Sequence, residues 1–399
     1  MAVAAEIGGR DARVIGLVGA GHFLSHFYIF LLPPLFPVLK EAFGVSYVEL
    51  GLIVTVFNVT SGLTQAPAGF LVDRFGAATL LIGGLLLEAV AYFGMGAFGS
   101  YTAVLVLAGV AGIANSVYHP ADYAILSAAV REERIGRAFS LHTFAGFLGN
   151  AATPALVVGV AALASWQTAL MLAGLFGLVC AGLMIANRDV MDVQPRERRT
   201  AAAGSAGGAG GLALLLSFPI VMCFLFYVAL AMSQSGLSSF APTAFVQLYG
   251  VSVAEAGMLL TVFATGNAIG ILAGGQIADR TTRHELVAIA GFIATAGLML
   301  VIAWVALPVA LLVGLLAVAG VLYGLIMPSR DMLVRAVTPP GAMGKVFGFV
   351  STGLNVGAAI TPAAIGWVMD QGQPSLLFVV SAAFMMVAIL TVIGARAGR

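Results

Sequence analysis

Polar side chains interrupt this chain rarely and at nearly regular intervals. Between them run apolar stretches of about 20 residues or more, the length a helix needs to cross a bilayer. Twelve such runs predict helices over 14–39, 47–71, 78–98, 101–130, 137–160, 165–187, 212–243, 251–277, 285–306, 308–336, 343–368 and 374–396. Charges, glycine or proline mark most of the breaks. The longest break, Arg188 to Gly211, carries Arg196-Glu-Arg-Arg199 and then an Ala/Gly/Ser tract. That composition reads as a flexible linker with no core of its own. The expected organisation is an N-terminal six-helix bundle over 1–187, a cytoplasmic linker over 188–211 and a C-terminal six-helix bundle over 212–399. The first run, Val14 to Leu39, is longer than the apolar part of a secretion signal, and no small-residue cleavage site follows it, so it reads as a span.

The two halves repeat. Gly51, Thr55-Val-Phe57, Gly69 and Asp73-Arg74 recur 206 positions on as Gly257, Thr261-Val-Phe263, Gly275 and Asp279-Arg280. Pro120, Gly136, Phe139, Gly149 and Thr153-Pro154 recur 208 positions on as Pro328, Gly344, Phe347, Gly357 and Thr361-Pro362. Two runs at nearly one offset point to an internal duplication. Six spans separate equivalent positions, and an even number preserves orientation. The halves are therefore parallel repeats, related by an axis along the membrane normal.

Composition agrees: 61% of residues are hydrophobic and 9% charged, against about 25% charged in soluble domains. The 50 glycines suit closely packed membrane helices. Net charge is +1, so its distribution matters more than its total. Of the 18 Lys and Arg, 16 fall at the two ends or in or beside the breaks after even-numbered runs. The positive-inside rule then sets both termini and the linker in the cytoplasm. The two cysteines, Cys180 and Cys223, lie in apolar runs and suggest no disulfide framework.

The loop between the second and third runs reads Gly69-Phe-Leu-Val-Asp73-Arg74-Phe-Gly76. It resembles the Gly-x-Leu-x-Asp-Arg-x-Gly loop of the major facilitator superfamily, with a reduced copy at Gly275-Gln-Ile-Ala-Asp279-Arg280. Ala77-Ala78 stands where that family has a basic pair. Two further stretches resemble the fosmidomycin-resistance group of exporters. One runs from Gly21-His22 to His26, then Pro33-Pro34 and Gly51-Leu52; the other is Ser116-Val-Tyr-His119-Pro120. Gly149-Asn-Ala-Ala-Thr153-Pro154 partly resembles a motif of drug–proton antiporters, with Thr153 in place of the glycine before proline. The resemblance implies an all-α integral membrane protein of twelve transmembrane helices in two pseudo-symmetric bundles. It also implies that spans 1, 4, 7 and 10 line a central cavity, and that Gly69, Asp73, Arg74, Gly76, Asp279 and Arg280 serve gating. Asp73 would then cap the start of span 11 near Gly341; the alternative is a topology marker in a tight turn.

Ionisable groups inside a bilayer cost several kcal/mol each and usually face a polar path. The candidates are Glu88, Asp122, Arg330 and Asp331, with His22, His26, His119 and His142. The offset of 208 matches Asp122 with Arg330 and Tyr123 with Asp331. An acid thus answers a base across the repeat, and the expectation is that the two face each other. Arg330 offers a fork of donors suited to an anionic group, or it neutralises Asp331 or Asp122, or it snorkels. The expected substrate contacts are His22, His26, His119, Asp122, Tyr123, Gln234, Arg330 and Asp331. Asp122, Asp331, Glu88 and His119 are the expected proton carriers. His22 and His26, spaced i, i+4, share a helix face and could hold a metal. No further acid or cysteine joins them on that helix, so polar lining or proton relay is expected and no metal or other cofactor. His142 reads as a packing histidine. The prolines at 33, 34, 67, 120, 154, 328 and 362 are expected to bend their helices, the pairs 120/328 and 154/362 alike in both halves.

No nucleotide loop, His-Glu-x-x-His or Gly-x-Ser-x-Gly is present, so neither an enzyme nor a nucleotide-driven pump is expected. The expected function is alternating-access transport of a small, anionic or amphiphilic solute, by proton-coupled efflux. The alternatives are proton-coupled uptake of an organic acid and, remotely, a non-transporting sensor. The expected partners are solute, protons and the lipid bilayer, with no nucleic acid. The expected setting is a monomer in a bacterial-type cytoplasmic membrane.

Overall fold

The computed structural model describes residues 9–131, 134–192, 213–339 and 343–397, and no strand occurs among them. Twelve helical segments are long and apolar enough to cross a membrane. Span 1 is Gly9–Ile29, a 3-10 turn Pro33–Leu35 and Phe36–Phe43; span 2 is Tyr47–Phe75; span 3 is Ala77–Phe98. Span 4 is Tyr101–Asn115 and Tyr118–Ala129; span 5 is Ile135–Leu163; span 6 is Trp166–Ala186. Spans 7 to 12 are Phe218–Tyr249, Val253–Arg280, His284–Trp304, Val309–Val337, Met343–Asp370 and Ser375–Ala397. Each apolar run is thus a helix, with the largest shift at span 7, which starts at Phe218 rather than near 212. A short helix, Arg188–Met191, opens the expected linker. The rest of that linker, with Arg196 to Arg199, lies outside the described residues.

The chain forms two compact units. Unit 1 comprises Met1–Val38 and Val56–Ala201, and unit 2 comprises Leu39–Thr55 and Ala202–Arg399. Span 2 therefore contributes to both.

Within unit 1, span 1 lies on span 5 and span 3 on span 6. Glycines set the closeness. A Cβ on Gly149 would strike the backbone of Phe23, and one on Gly177 would strike the Tyr28 hydroxyl. That hydroxyl donates to the Ala173 carbonyl at 3.0 Å, and the Tyr28 ring stacks on Tyr92 at 4.6 Å. Within unit 2, Gly266, Gly270 and Gly274 of span 8 meet the backbone of span 10 directly, and Gly320 and Gly324 of span 10 return the contact. Small residues four apart let two helices approach to backbone contact without lipid between them.

Leu39–Thr55 docks on span 11. Asp370 accepts from the Tyr47 and Val48 amides at 2.8 and 2.9 Å, two of the four amides that a helix start leaves unpaired. Lys40 reaches the same carboxylate at 3.3 Å and sits 4.2 Å over the Tyr47 ring. Ser46 and Glu49 close a capping box beside it, and Ser252 and Glu255 repeat the box at span 8, 206 positions on. Thr55 donates to the Ala359 carbonyl at 2.7 Å, and Gly51 and Gly366 lie against the backbone of the facing helix.

The prolines behave less uniformly than expected. Pro33-Pro34 interrupts span 1 with a 3-10 turn, and span 4 breaks at Ser116 and Val117. Pro120 clashes with a helical carbonyl four residues back, at Ser116, so it sits in the first turn of the restarted helix. Its repeat partner Pro328 lies inside an unbroken span 10. There the residue four back is Gly324, pressed against Asn267 of span 8. The paired prolines therefore do not give the same bend. Pro154 and Pro362 both lie inside continuous helices, as does Pro242 of span 7.

Candidate functional site

The buried polar residues of unit 1 gather where spans 1, 4 and 5 meet. His22 and His26, one turn apart, bring their rings to 4.7 Å. The restart of span 4 places His119 and Asp122 three residues apart on one face. Span 5 supplies His142, Gly146 and Asn150, each four residues from the next and so on one stripe. The Asp122 carboxylate is fully buried, and its Oδ2 is approached by His22 Nδ1 at 3.1 Å and His142 Nε2 at 2.9 Å. The His22 and His142 rings stack at 3.7 Å. His26 Nδ1 pairs with Asn150 Oδ1 at 3.2 Å. The His119 ring stands 5.4 Å from that of His22 and stacks on Tyr123 at 6.2 Å; both His119 and Tyr123 are exposed on unit 1. Gly146 makes the assembly possible, because a Cβ there would sit 2.8–2.9 Å from the rings of His22 and His26.

His142 is thus no bystander; it is one of two imidazoles on Asp122. Its signal was the stripe at 142, 146 and 150, which only the neighbouring span makes meaningful. The further donors for His22 come from spans 4 and 5 rather than from its own helix.

Glu88 forms a second, separate polar knot in unit 1. It is fully buried, and Asn115 donates to its Oε1 at 3.3 Å and to Ser25 Oγ at 3.1 Å. Asn115 is the last helical residue before the break in span 4, so spans 1, 3 and 4 are tied at that break.

Unit 2 holds the arginine. Arg330 Nε donates to Asp331 Oδ1 at 2.8 Å, and the Tyr227 hydroxyl of span 7 donates to the same oxygen at 2.8 Å. The guanidinium carbon lies 4.8 Å over the Tyr227 ring, a cation–π seat. Asp331 is 48% exposed and Arg330 19%. Each charge found in the sequence is therefore partnered inside its own unit: Arg330 by its neighbour Asp331, and Asp122 by two histidines. Gln234, also in unit 2, buries an Oε1 that has no hydrogen-bond partner.

Asp73 and Arg74 are exposed near the end of span 2. Gly76 follows at φ 90°, a conformation that side chains other than glycine avoid, which explains the last glycine of that motif. Gly69 meets nothing that a side chain would strike. Arg280 ends span 8. The Asp279 side chain and Gly341, the expected partner of Asp73, lie outside the described residues.

The sequence model of the Major Facilitator Superfamily matches residues 18–243 and again 223–397. The chain belongs to the major facilitator superfamily. Superfamily proteins are multi-pass membrane transporters rather than enzymes. The Fosmidomycin resistance protein of Escherichia coli is 23% identical over 396 residues, spanning 95% of this chain and 92% of that one. The Multidrug resistance protein MdtH of Aeromonas hydrophila is 27% identical over 360 residues, 83% and 84% of the two chains. The superfamily fold is shared with a bacterial homolog of the human lysosomal transporter Spinster, solved in an inward-facing, occupied conformation, at a TM-score of 0.79 and 13% identity over 98% of each chain. The nucleoside transporter NupG matches at a TM-score of 0.79 and 14% identity, over 97% of this chain and all of that one.

Proposed function

We propose that this superfamily transporter exports a small amphiphilic solute bearing a hydrogen-bond donor in exchange for protons. The observation that carries the reading is the Arg330–Asp331–Tyr227 group. Its carboxylate is the more accessible member, and Arg330 and Tyr227 both donate to the same one of its oxygens. A solute that donates a hydrogen bond to the ionised Asp331 carboxylate is held more weakly once Asp331 takes a proton, because the acceptor loses its charge. Proton and solute then exclude each other, which exchange requires. Two relatives matched over most of their length carry names of drug resistance, which supports the outward direction.

The same group supports one second reading with the opposite sign. A solute that offers an anion to Arg330 competes with Asp331 for the guanidinium. Protonation of Asp331 would remove the carboxylate partner of Arg330, a loss that the anion offsets. Proton and anion then bind together, the signature of cotransport. Partial matches named for L-galactonate and sulfoacetate transport, each over about 40% of this chain, support that reading.

Inverted membrane vesicles with an acidic interior separate the two. Exchange predicts that adding a transported solute drains the pH gradient. Asp331→Asn should abolish the drain while solute–solute counterflow persists. A gradient left untouched by a solute that does cross the membrane overturns exchange, and solute-driven alkalinisation of the outside medium in the absence of a gradient establishes cotransport.

A further inference from the structure

We propose that His22, Asp122 and His142 form a binding site for one divalent transition-metal ion of the zinc class. Two imidazole nitrogens converge on one carboxylate oxygen at 3.1 and 2.9 Å, and the three donor atoms all lie within 4.8 Å of one another. Tetrahedral bonds of about 2.0–2.2 Å hold donor atoms about 3.3 Å apart, so an ion fits among them once the two stacked rings turn to aim their nitrogens at it. Two neutral imidazoles and a carboxylate are a donor set that suits zinc and its neighbours, with a fourth position left for water or another side chain.

Charge gives an independent reason. Both side chains on Asp122 are imidazoles, and no lysine or arginine pairs with it among the described residues. A fully buried carboxylate without a cation is costly in hydrocarbon. Its second oxygen, Oδ1, is buried and has no hydrogen-bond partner among the described residues, and neither has His142 Nδ1. A divalent ion on Oδ2 supplies the missing charge and leaves Oδ1 free to bind it as well. The rings of His26 and His119 lie beside the group, 4.7 and 5.4 Å from that of His22.

The donors come from three spans of one unit. A bound ion would fasten span 1 and span 5 to the restarted half of span 4, where the helix is interrupted. Among the described residues, the second half of the chain has no such site. Positions 208 residues after Asp122 and His142 are Arg330 and Val350. One ion per chain follows.

The test uses the full-length protein in detergent, purified through a tag without histidine, stripped with chelator and titrated with Co2+ or Zn2+ alone. The expected result is uptake of one Co2+ per chain, with the visible absorption of low-coordinate cobalt, displaced by Zn2+. The thermal midpoint should rise with Zn2+ and fall back on chelation. Loss of an outer-shell partner alone weakens metal sites about 10–100-fold, so His142→Gln and Asp122→Asn should bind about 100-fold more weakly or worse. His284→Gln, at the start of span 9, should bind as the unmodified chain does. A stripped unmodified chain that takes up no stoichiometric Co2+ overturns the proposal, whatever the variants do. Folded His142→Gln and Asp122→Asn that bind unchanged also overturn it. In either case the cluster is a hydrogen-bonded polar site only.

Discussion

Single residues decide whether the polar cluster of unit 1 can exist. Gly146 is the sharpest case, since it leaves the space that the His22 and His26 rings occupy. Gly146→Ala should destabilise the protein by about 1–3 kcal/mol, the usual cost of overpacking a filled interior, and should displace His22 from Asp122. Gly159, on the same span, meets nothing within 4 Å, so Gly159→Ala should be neutral or slightly stabilising. Thermal unfolding of the two variants side by side checks the contrast. Much at this scale was legible in the sequence. Asp122, Arg330, Glu88 and the histidines stand out because charge and oil rarely mix. The pairing of Arg330 with its neighbour Asp331 was among the readings the sequence allowed, but the partners from other helices were not legible. His22 and His142 meet Asp122 from 100 and 20 residues away, and Tyr227 meets Asp331 from 104, through contacts that no local spacing encodes.

Helices were the most legible elements, because a run of about 20 apolar residues has few alternatives to a span. Their interruptions were harder to read, as Pro120 and Pro328 show. The same residue follows a break in one helix and lies inside an unbroken one in the other. Contacts at the ends of elements carry their own prediction. Asp370 holds the first two amides of span 2, and Lys40 balances its charge. Asp370→Asn removes the charge that favours a helix start, worth about 1 kcal/mol. Hydrogen exchange at the Tyr47 and Val48 amides should then quicken roughly fivefold. Unchanged protection of those amides would show that the capping box of Ser46 and Glu49 holds the helix start unaided.

For the whole molecule, the distribution of basic residues predicts orientation. Both termini should face the cytoplasm, with the odd-numbered breaks on the opposite side. Fluorescent-protein fusions after Arg399 should glow, and an alkaline phosphatase fused after Gly44 should be active; the reverse pattern would invert the topology. Duplication was legible from glycines and prolines at one offset, whereas the docking of Leu39–Thr55 on span 11 was not. That docking also sets a timetable. Thr55 and its acceptor Ala359 are 304 residues apart. A ribosome adding about 5–20 residues per second takes roughly 15–60 s to cover that distance. For that interval the nascent chain holds one end of an inserted helix without its eventual neighbour, and Gly51, which has no side chain to fill the gap, is bare to lipid or to an insertase. Biogenesis, rather than the finished fold, is where this part of span 2 is most vulnerable.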